Sequence, residues 1–192
     1  MLDRRKVTAA LLADRGDLLV IAGLGAPNWD VTAVGDNDLN FPLWGAMGGA
    51  AMTGLGVALA QPDRRVLVIT GDGEALMGLT ALSTIGANAP GNLAIAVLDN
   101  ERYGETGMQV TNTSTVDSPG TDLAAVALAC GFVAAVTASA DADMGGAVEL
   151  MRSTPGPTMA VFKISADVPP QVVPSRDGPY LVQRFRSALG IS

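Results

Sequence analysis

Histidine is absent from all 192 residues, and cysteine occurs once, at Cys130. Without an imidazole this polypeptide can supply no Ser-His-Asp triad, no His-ligated metal and no imidazole acid or base. A lone thiol forms no internal disulfide and cannot by itself hold an iron–sulfur cluster or a zinc ion, so Cys130 is expected in the core of a helix. Cationic residues are also scarce, 12 Lys and Arg against 19 Asp and Glu, for a formal charge of −7. That balance opposes attraction to nucleic acid or to an anionic membrane surface. The one short basic run, Arg4, Arg5 and Lys6, reads as the solvated start of a helix. No apolar span has the length a bilayer crossing needs, and no basic-then-apolar leader opens the chain. A cytoplasmic protein is the expectation.

Small and apolar residues are abundant: 48% of the chain is hydrophobic, 23 residues are Gly, and only 16% are charged. This suits one compact domain over residues 1–192, with close-packed helices on a sheet and surface buried against other subunits. Helical spacing runs from Asp3 to Arg15, and Leu18 to Ala22 is a short buried strand that gives way to a loop at Gly23, Gly25 and Pro27. Gly45 to Ala60 reads as a buried helix packed through its glycines. Val66 to Thr70, Glu74 to Ala87 and Leu93 to Leu98 read as strand, helix, strand: a βαβ unit with a right-handed crossover and a parallel sheet.

Beyond Asn100 a polar stretch to Ser118 is a candidate active-site loop. A helix from about Asp122 to Ala129 follows, then strands at Phe132 to Val136 and Thr158 to Ile164 around a helix from Asp141 to Arg152. An extended Pro-rich tail from about residue 166 ends in a helix near Tyr180 to Leu189. The fold class expected is three-layer α/β/α on a mainly parallel central sheet.

Two strand ends carry the chemistry: Gly71-Asp72-Gly73 after one strand and Asp99-Asn100 after the next. The glycines allow close backbone approach, and a helix starting near Glu74 would aim free N–H groups at a phosphate. Asp72 and Asn100 both offer oxygen, which a hard Mg²⁺ ion prefers. Singly, each motif is also what an ordinary turn or strand exit looks like. On either side of one helix, at the ends of adjacent strands, they form the topology of a metal-held diphosphate.

The segment from Ile69 to Gly107, ITGDGEALMGLTALSTIGANAPGNLAIAVLDNERYGETG, resembles the signature of the thiamine diphosphate-dependent decarboxylases. The likeness extends upstream to Trp44–Gly56 and downstream through Gln109, and within that family it is greatest to the enzymes acting on sulfopyruvate and phosphonopyruvate. The resemblance implies Mg²⁺ ligation by Asp72, Asn100 and the carbonyl of Arg102, with Gly71, Gly73 and Glu74 lining the diphosphate through their backbones. It implies that Met47 wedges between the two cofactor rings, and that Gly45 and the Met47 N–H bond the aminopyrimidine. Tyr103, Gly104, Glu105 and Thr106 fall in the matched cofactor-binding stretch. Core filling is the alternative role for Met47.

Gly25, Ala26 and Pro27 match the loop beneath the diphosphate, though Asn28 and Trp29 depart from the pattern. Glu74 departs as well, where Ser or Ala is commoner; a carboxylate beside a diphosphate is costly, so its side chain is expected to turn outward.

In this family a glutamate from a separate pyrimidine-binding domain, contributed across a subunit interface, assists removal of the cofactor's reactive proton. The resemblance covers only the diphosphate-binding type of domain. It therefore implies the beta subunit of a hetero-oligomer, inactive until a pyrimidine-binding alpha subunit joins it. A small anionic 2-oxoacid, sulfopyruvate first, is the substrate class, yielding sulfoacetaldehyde and CO₂; phosphonopyruvate or another 2-oxoacid is the alternative. A non-catalytic cofactor-binding or regulatory module remains open, and a ferredoxin-linked oxidoreductase subunit would need cluster-binding cysteines. Positive charge for such a substrate is limited to Arg102, Lys163 and Arg176 as candidates.

Overall fold

The computed structural model describes residues 1–116 and 118–191. Asp117, in the predicted polar loop, and Ser192, at the end of the predicted tail, lie outside the described residues. Helix α1 (Arg4–Leu12) is capped by Asp3, whose carboxylate accepts from the Arg5 and Lys6 N–H groups. Then follow β1 (Leu19–Ala22), α2 (Ala26–Val34), β2 (Asn40–Pro42), α3 (Ala50–Ala60), β3 (Val66–Gly71), α4 (Asp72–Met77), α5 (Ala81–Asn88) and β4 (Leu93–Asp99). A small hairpin, β5 (Arg102–Tyr103) and β6 (Gln109–Val110), precedes α6 (Leu123–Ala129), β7 (Ala134–Ala138), α7 (Asp141–Ser153), β8 (Thr158–Lys163) and α8 (Gly178–Ala188).

Six strands form one parallel sheet in the order β2-β1-β3-β4-β8-β7, and β5 pairs antiparallel with β6. The sheet is covered on both faces, which is why its central strands are apolar without alternation. Across it the register aligns Ile21, Val68, Ile95 and Met159, which face α3, α5, α6 and α8. The neighbouring row, Ala22, Ile69, Ala96 and Ala160, packs with α1, α2 and α7. The expected three layers are present. From β1 the chain passes outward to β2 and then back across to β3, so the carboxyl ends of β1 and β3 flank a reversal of strand order, where open α/β sheets form a crevice.

Several predicted boundaries are corrected. The stretch taken as a loop at Gly25, Ala26 and Pro27 is the N-cap and first turn of α2, and β2 was not foreseen. The helix expected from Gly45 begins at Ala50, because Ala46 and Gly48 take positive φ in a turn before it. That helix is also half-exposed, with Met52 and Leu59 turned outward. The helix expected over Glu74 to Ala87 is broken near Gly78, where a Cβ would stand 2.3 Å from the Gly48 carbonyl oxygen. Backbone crossing backbone at that point forces the interruption. The strand expected from Phe132 starts two residues later. Cys130 is the half-buried C-cap of α6 rather than core, and its carbonyl lies where a Gly86 Cβ would be, 1.6 Å away.

Among the described residues no helix is long and apolar enough to cross a membrane.

Candidate functional site

The carboxyl ends of β1, β3 and β4 open into one cavity. Its walls are Leu24, Ala26, Pro27, Trp29 and Asp30 after β1, and Gly71, Asp72, Gly73 and Glu74 after β3. From β4 onward come Leu98, Asn100, Arg102, Tyr103 and the turn Gly104, Glu105, Thr106, with Met108 beyond it. Met47 enters from the turn before α3, Arg4 from α1, and Val168, Pro169 and Gln171 from the tail. Of the residues put forward from the sequence as cofactor or metal binders, only Gly25 and Gly45 stand outside this wall. Gly25 has φ +78°, and a Cβ there would lie 2.9 Å from Glu105 Oε1, so its role is to let α2 start beside Glu105.

Asp72 begins α4 and is 1% exposed. Its Oδ2 accepts hydrogen bonds from Thr111 Oγ1 at 2.6 Å and Thr113 Oγ1 at 3.3 Å. Burial, reinforced by the nearby Asp99 carboxylate, pushes its pKa up to about 6 against the opposing hydrogen bonds from Thr111 and the Asp72 and Asn100 N–H groups. Asp99, equally buried, receives the Thr113 hydroxyl at 2.9 Å and pairs with Lys163 Nζ at 2.8 Å. Lys163 also reaches Glu101 at 3.1 Å; burial lowers its pKa, but these two carboxylates outweigh that and hold it above its ordinary value. Asp99 is thus compensated, whereas Asp72 faces the cavity with no cation paired to it among the described residues. A buried carboxylate at a helix start that faces a cavity without a paired cation has the chemistry a dication would suit.

Asn100 sits beside it in an Asx turn, its Oδ1 accepting from the Arg102 N–H at 3.1 Å. The Arg102 carbonyl, proposed as a third ligand, belongs to the same turn. One carboxylate, one amide oxygen and one carbonyl from adjoining turns match the hard-oxygen preference of Mg²⁺, and the small wall at Gly71 and Gly73 leaves room for phosphate oxygens. The residues present fit both groups.

Met47 is 37% exposed and belongs to neither apolar core of this chain. Its Cε and the Tyr103 ring converge on Gly73, where a Cβ would lie 3.5 Å from the former and 2.6 Å from the latter. Gly73 therefore serves a side-chain approach as much as a ligand's.

Glu74 is the main correction. Its side chain was expected to turn outward, yet it is 5% exposed and points inward. Oε2 accepts from Thr70 Oγ1 at 2.7 Å and the Leu24 N–H at 3.1 Å, and Oε1 accepts from the Ala50 N–H at 3.3 Å. Free backbone donors at the loop after β1 and at the start of α3 satisfy it, which is the reason burial is tolerated. Burial still raises its pKa, the hydrogen bonds from Thr70, Ala50 and Leu24 limiting the rise. A Cβ on Gly23 would lie 2.0 Å from Oε2, so that glycine makes room for the carboxylate.

The basic run is a second correction. Arg4, expected in solvent, is 7% exposed, because its Nε bonds the buried Asp30 at 2.6 Å. Of the cations expected for a substrate, Arg102 lines the cavity, Lys163 is committed to Asp99 and Glu101, and Arg176 stacks 5.1 Å over the Trp44 ring. Sequence reasoning missed Arg4, Thr111 and Thr113. The threonines carried a faint signal, since both lie in the polar stretch flagged as a loop.

This architecture defines a parallel α/β protein with a cleft at the carboxyl edge of the sheet, lined by a buried carboxylate and by the turns that follow β3 and β4. The chain belongs to the thiamine pyrophosphate enzymes: residues 31–162 match their C-terminal TPP binding domain. It is 43% identical over 148 residues to a phosphonopyruvate decarboxylase of Streptomyces viridochromogenes, a match over 77% of this chain and 36% of that protein. It is 42% identical over 132 residues to the sulfopyruvate decarboxylase subunit beta of Methanothermobacter thermautotrophicus, over 69% of this chain and 68% of the other. The chain thus spans about a third of the one relative and two thirds of the other. A Mycobacterium smegmatis structure described as thiamin diphosphate-dependent shares the fold, with a TM-score of 0.69 at 20% identity over 86% of this chain and 32% of its own.

Proposed function

We propose that this chain is the diphosphate-binding, beta-type subunit of a two-subunit thiamine diphosphate- and Mg²⁺-dependent 2-oxoacid decarboxylase, with sulfopyruvate as the preferred substrate and phosphonopyruvate next. The observation that carries the reading is Asp72, a buried carboxylate with no cationic side chain paired to it among the described residues, facing a cavity between the β1, β3 and β4 ends. The relatives' names support the substrate class. The two-subunit form is favoured by the match to proteins named sulfopyruvate decarboxylase subunit beta.

When bound, thiamine diphosphate supplies the nucleophilic carbon and electron sink for loss of CO₂ from a 2-oxoacid. The chain's own residues do the rest on this side of the cleft. Asp72, Asn100 and the Arg102 carbonyl hold Mg²⁺, and Gly71 and Gly73 leave space for the diphosphate. Met47 braces the cofactor's rings, while Tyr103 and Trp29 shield the cavity from water. A partner chain brings the pyrimidine-binding wall and the activating glutamate.

The purified chain with Mg²⁺ and thiamine diphosphate is expected to decarboxylate no 2-oxoacid until the partner subunit is added, as followed by CO₂ release. Sustained turnover by this polypeptide, with a partner excluded by mass spectrometry, would overturn the two-subunit reading. Met47→Ala in the assembled enzyme is expected to lower kcat by on the order of tenfold or more, since ring geometry matters in the transition state, while cofactor Kd changes little. Equal losses in both would remove Met47 from the bracing role.

A further inference from the structure

The guanidinium of Arg4 closes the end of the cavity nearest the tail. Its side chain is nine-tenths buried, with 9% exposure, and its Nε is held by Asp30, itself 1% exposed. The Arg4 side chain makes no other hydrogen bond or ion pair among the described residues, and neither of its terminal nitrogens is a sealed, unsatisfied atom. Nη1 and Nη2 therefore face the cavity that Arg4 lines with Trp29, Val168 and Pro169. The apolar residues on this stretch of the wall strengthen any charge interaction made there. Arg5 adds a second positive charge, its Nε 3.5 Å from Asp30 Oδ1, and another of its nitrogens donates to the Pro170 carbonyl, tying the tail across this end. Two guanidinium groups against one carboxylate leave one positive charge in excess.

We propose that Arg4 is a binding residue for an anionic acid group, a phosphate, phosphonate or sulfonate, seated between α1 and the tail. Two sources offer that chemistry within one cavity: the cofactor's diphosphate, or a second acid group on the substrate. The substrate-side source rests on the decarboxylase reading; the anion site itself does not. Arg4 is oriented by Asp30, so the pair presents a fixed pair of N–H donors, the geometry that suits an oxyanion.

The test uses the full chain assembled with its partner subunit. Arg4→Gln is compared with the double variant Arg4→Gln/Asp30→Asn, which leaves no unpaired buried carboxylate, and with Arg4→Lys. Calorimetry measures thiamine diphosphate affinity with Mg²⁺, then methylphosphonate affinity at saturating cofactor. Kinetics compare kcat/KM for sulfopyruvate and pyruvate. A folded variant losing on the order of tenfold to a hundredfold in cofactor affinity assigns Arg4 to the diphosphate. A similar loss for methylphosphonate and sulfopyruvate, with cofactor affinity and pyruvate kinetics retained, assigns it to the substrate's second acid group. If the assembly decarboxylates nothing yet Arg4→Gln still weakens either ligand, the anion site stands and the decarboxylase reading falls. A folded double variant with unchanged cofactor affinity overturns the proposal if methylphosphonate affinity is also unchanged, or if the parent binds no methylphosphonate.

Discussion

Asp72→Asn is expected to abolish Mg²⁺-dependent retention of thiamine diphosphate and, at the same time, to raise the melting temperature of the metal-free chain above pH 6. The folded pKa of Asp72, about 6, lies above its ordinary 3.8, so the folded chain binds this proton more tightly than the unfolded one. The stability linked to Asp72 is therefore full below pH 4, declines as pH rises through 6, and above that stays lower by roughly 3 kcal/mol. An amide carries no charge to desolvate, so it escapes that penalty, although its NH₂ end gives up one of the carboxylate's accepted hydrogen bonds. At pH 8 the gain should be about 5–10 °C in thermal melts run with a chelator. The same variant loses the anionic ligand that attracts a dication, so titration with Mg²⁺ and cofactor should give no saturable binding. Parent-like melting at pH 8 together with parent-like cofactor affinity would show that Asp72 is neither strained by burial nor a metal ligand.

Glu74→Ala should be the most destabilising single change near the cavity, at about 3 kcal/mol or more, because it strands the Thr70, Leu24 and Ala50 donors in a buried site. Glu74→Gln should recover only part of this. One of its two ends is an NH₂ group, which faces a backbone N–H on one side or the other and cannot accept from it. The loops released are the ones that carry Ala26 and Met47 into the cavity wall, so cofactor affinity should fall along with stability. Urea unfolding and cofactor titration measure the two losses. A Gln variant as stable as the parent would mean that the carboxylate's three hydrogen bonds contribute nothing net.

These two residues mark how far the sequence could be read. The place of Asp72 at a strand end facing the cavity was legible because its evidence is local: a strand, a glycine on each side, and an Asn at the next strand end. The apolar strands at Leu19–Ala22, Val66–Gly71, Leu93–Asp99 and Thr158–Lys163 were legible for the same reason, since burial on both faces writes itself as an unbroken apolar run. Glu74 and Arg4 were misread because the groups that justify their burial lie far off in the chain, Leu24 50 residues away and Asp30 26 residues away. Helix α2 was hidden likewise: buried Asn28 and Asp30 on its inner face give it the look of a polar loop. The breaks at Gly48 and Gly78 depend on two turns meeting, which no local pattern encodes.

The way α1 is fastened has a consequence in time. Leu2 donates its N–H to the Lys163 carbonyl and accepts from the Ser165 N–H, so the chain's first helix is anchored to the exit of β8, some 160 residues later. Closing so long a loop must await the pairing of β8 with β4, whereas β1, β3 and β4 have partners much nearer in sequence. The strand-end turns bearing Asp72 and Asn100 can therefore form before the Arg4 wall arrives. A ligand that touches both would favour the late, closed form over its open precursor, and the cofactor would act as a brake on reopening that end of the sheet.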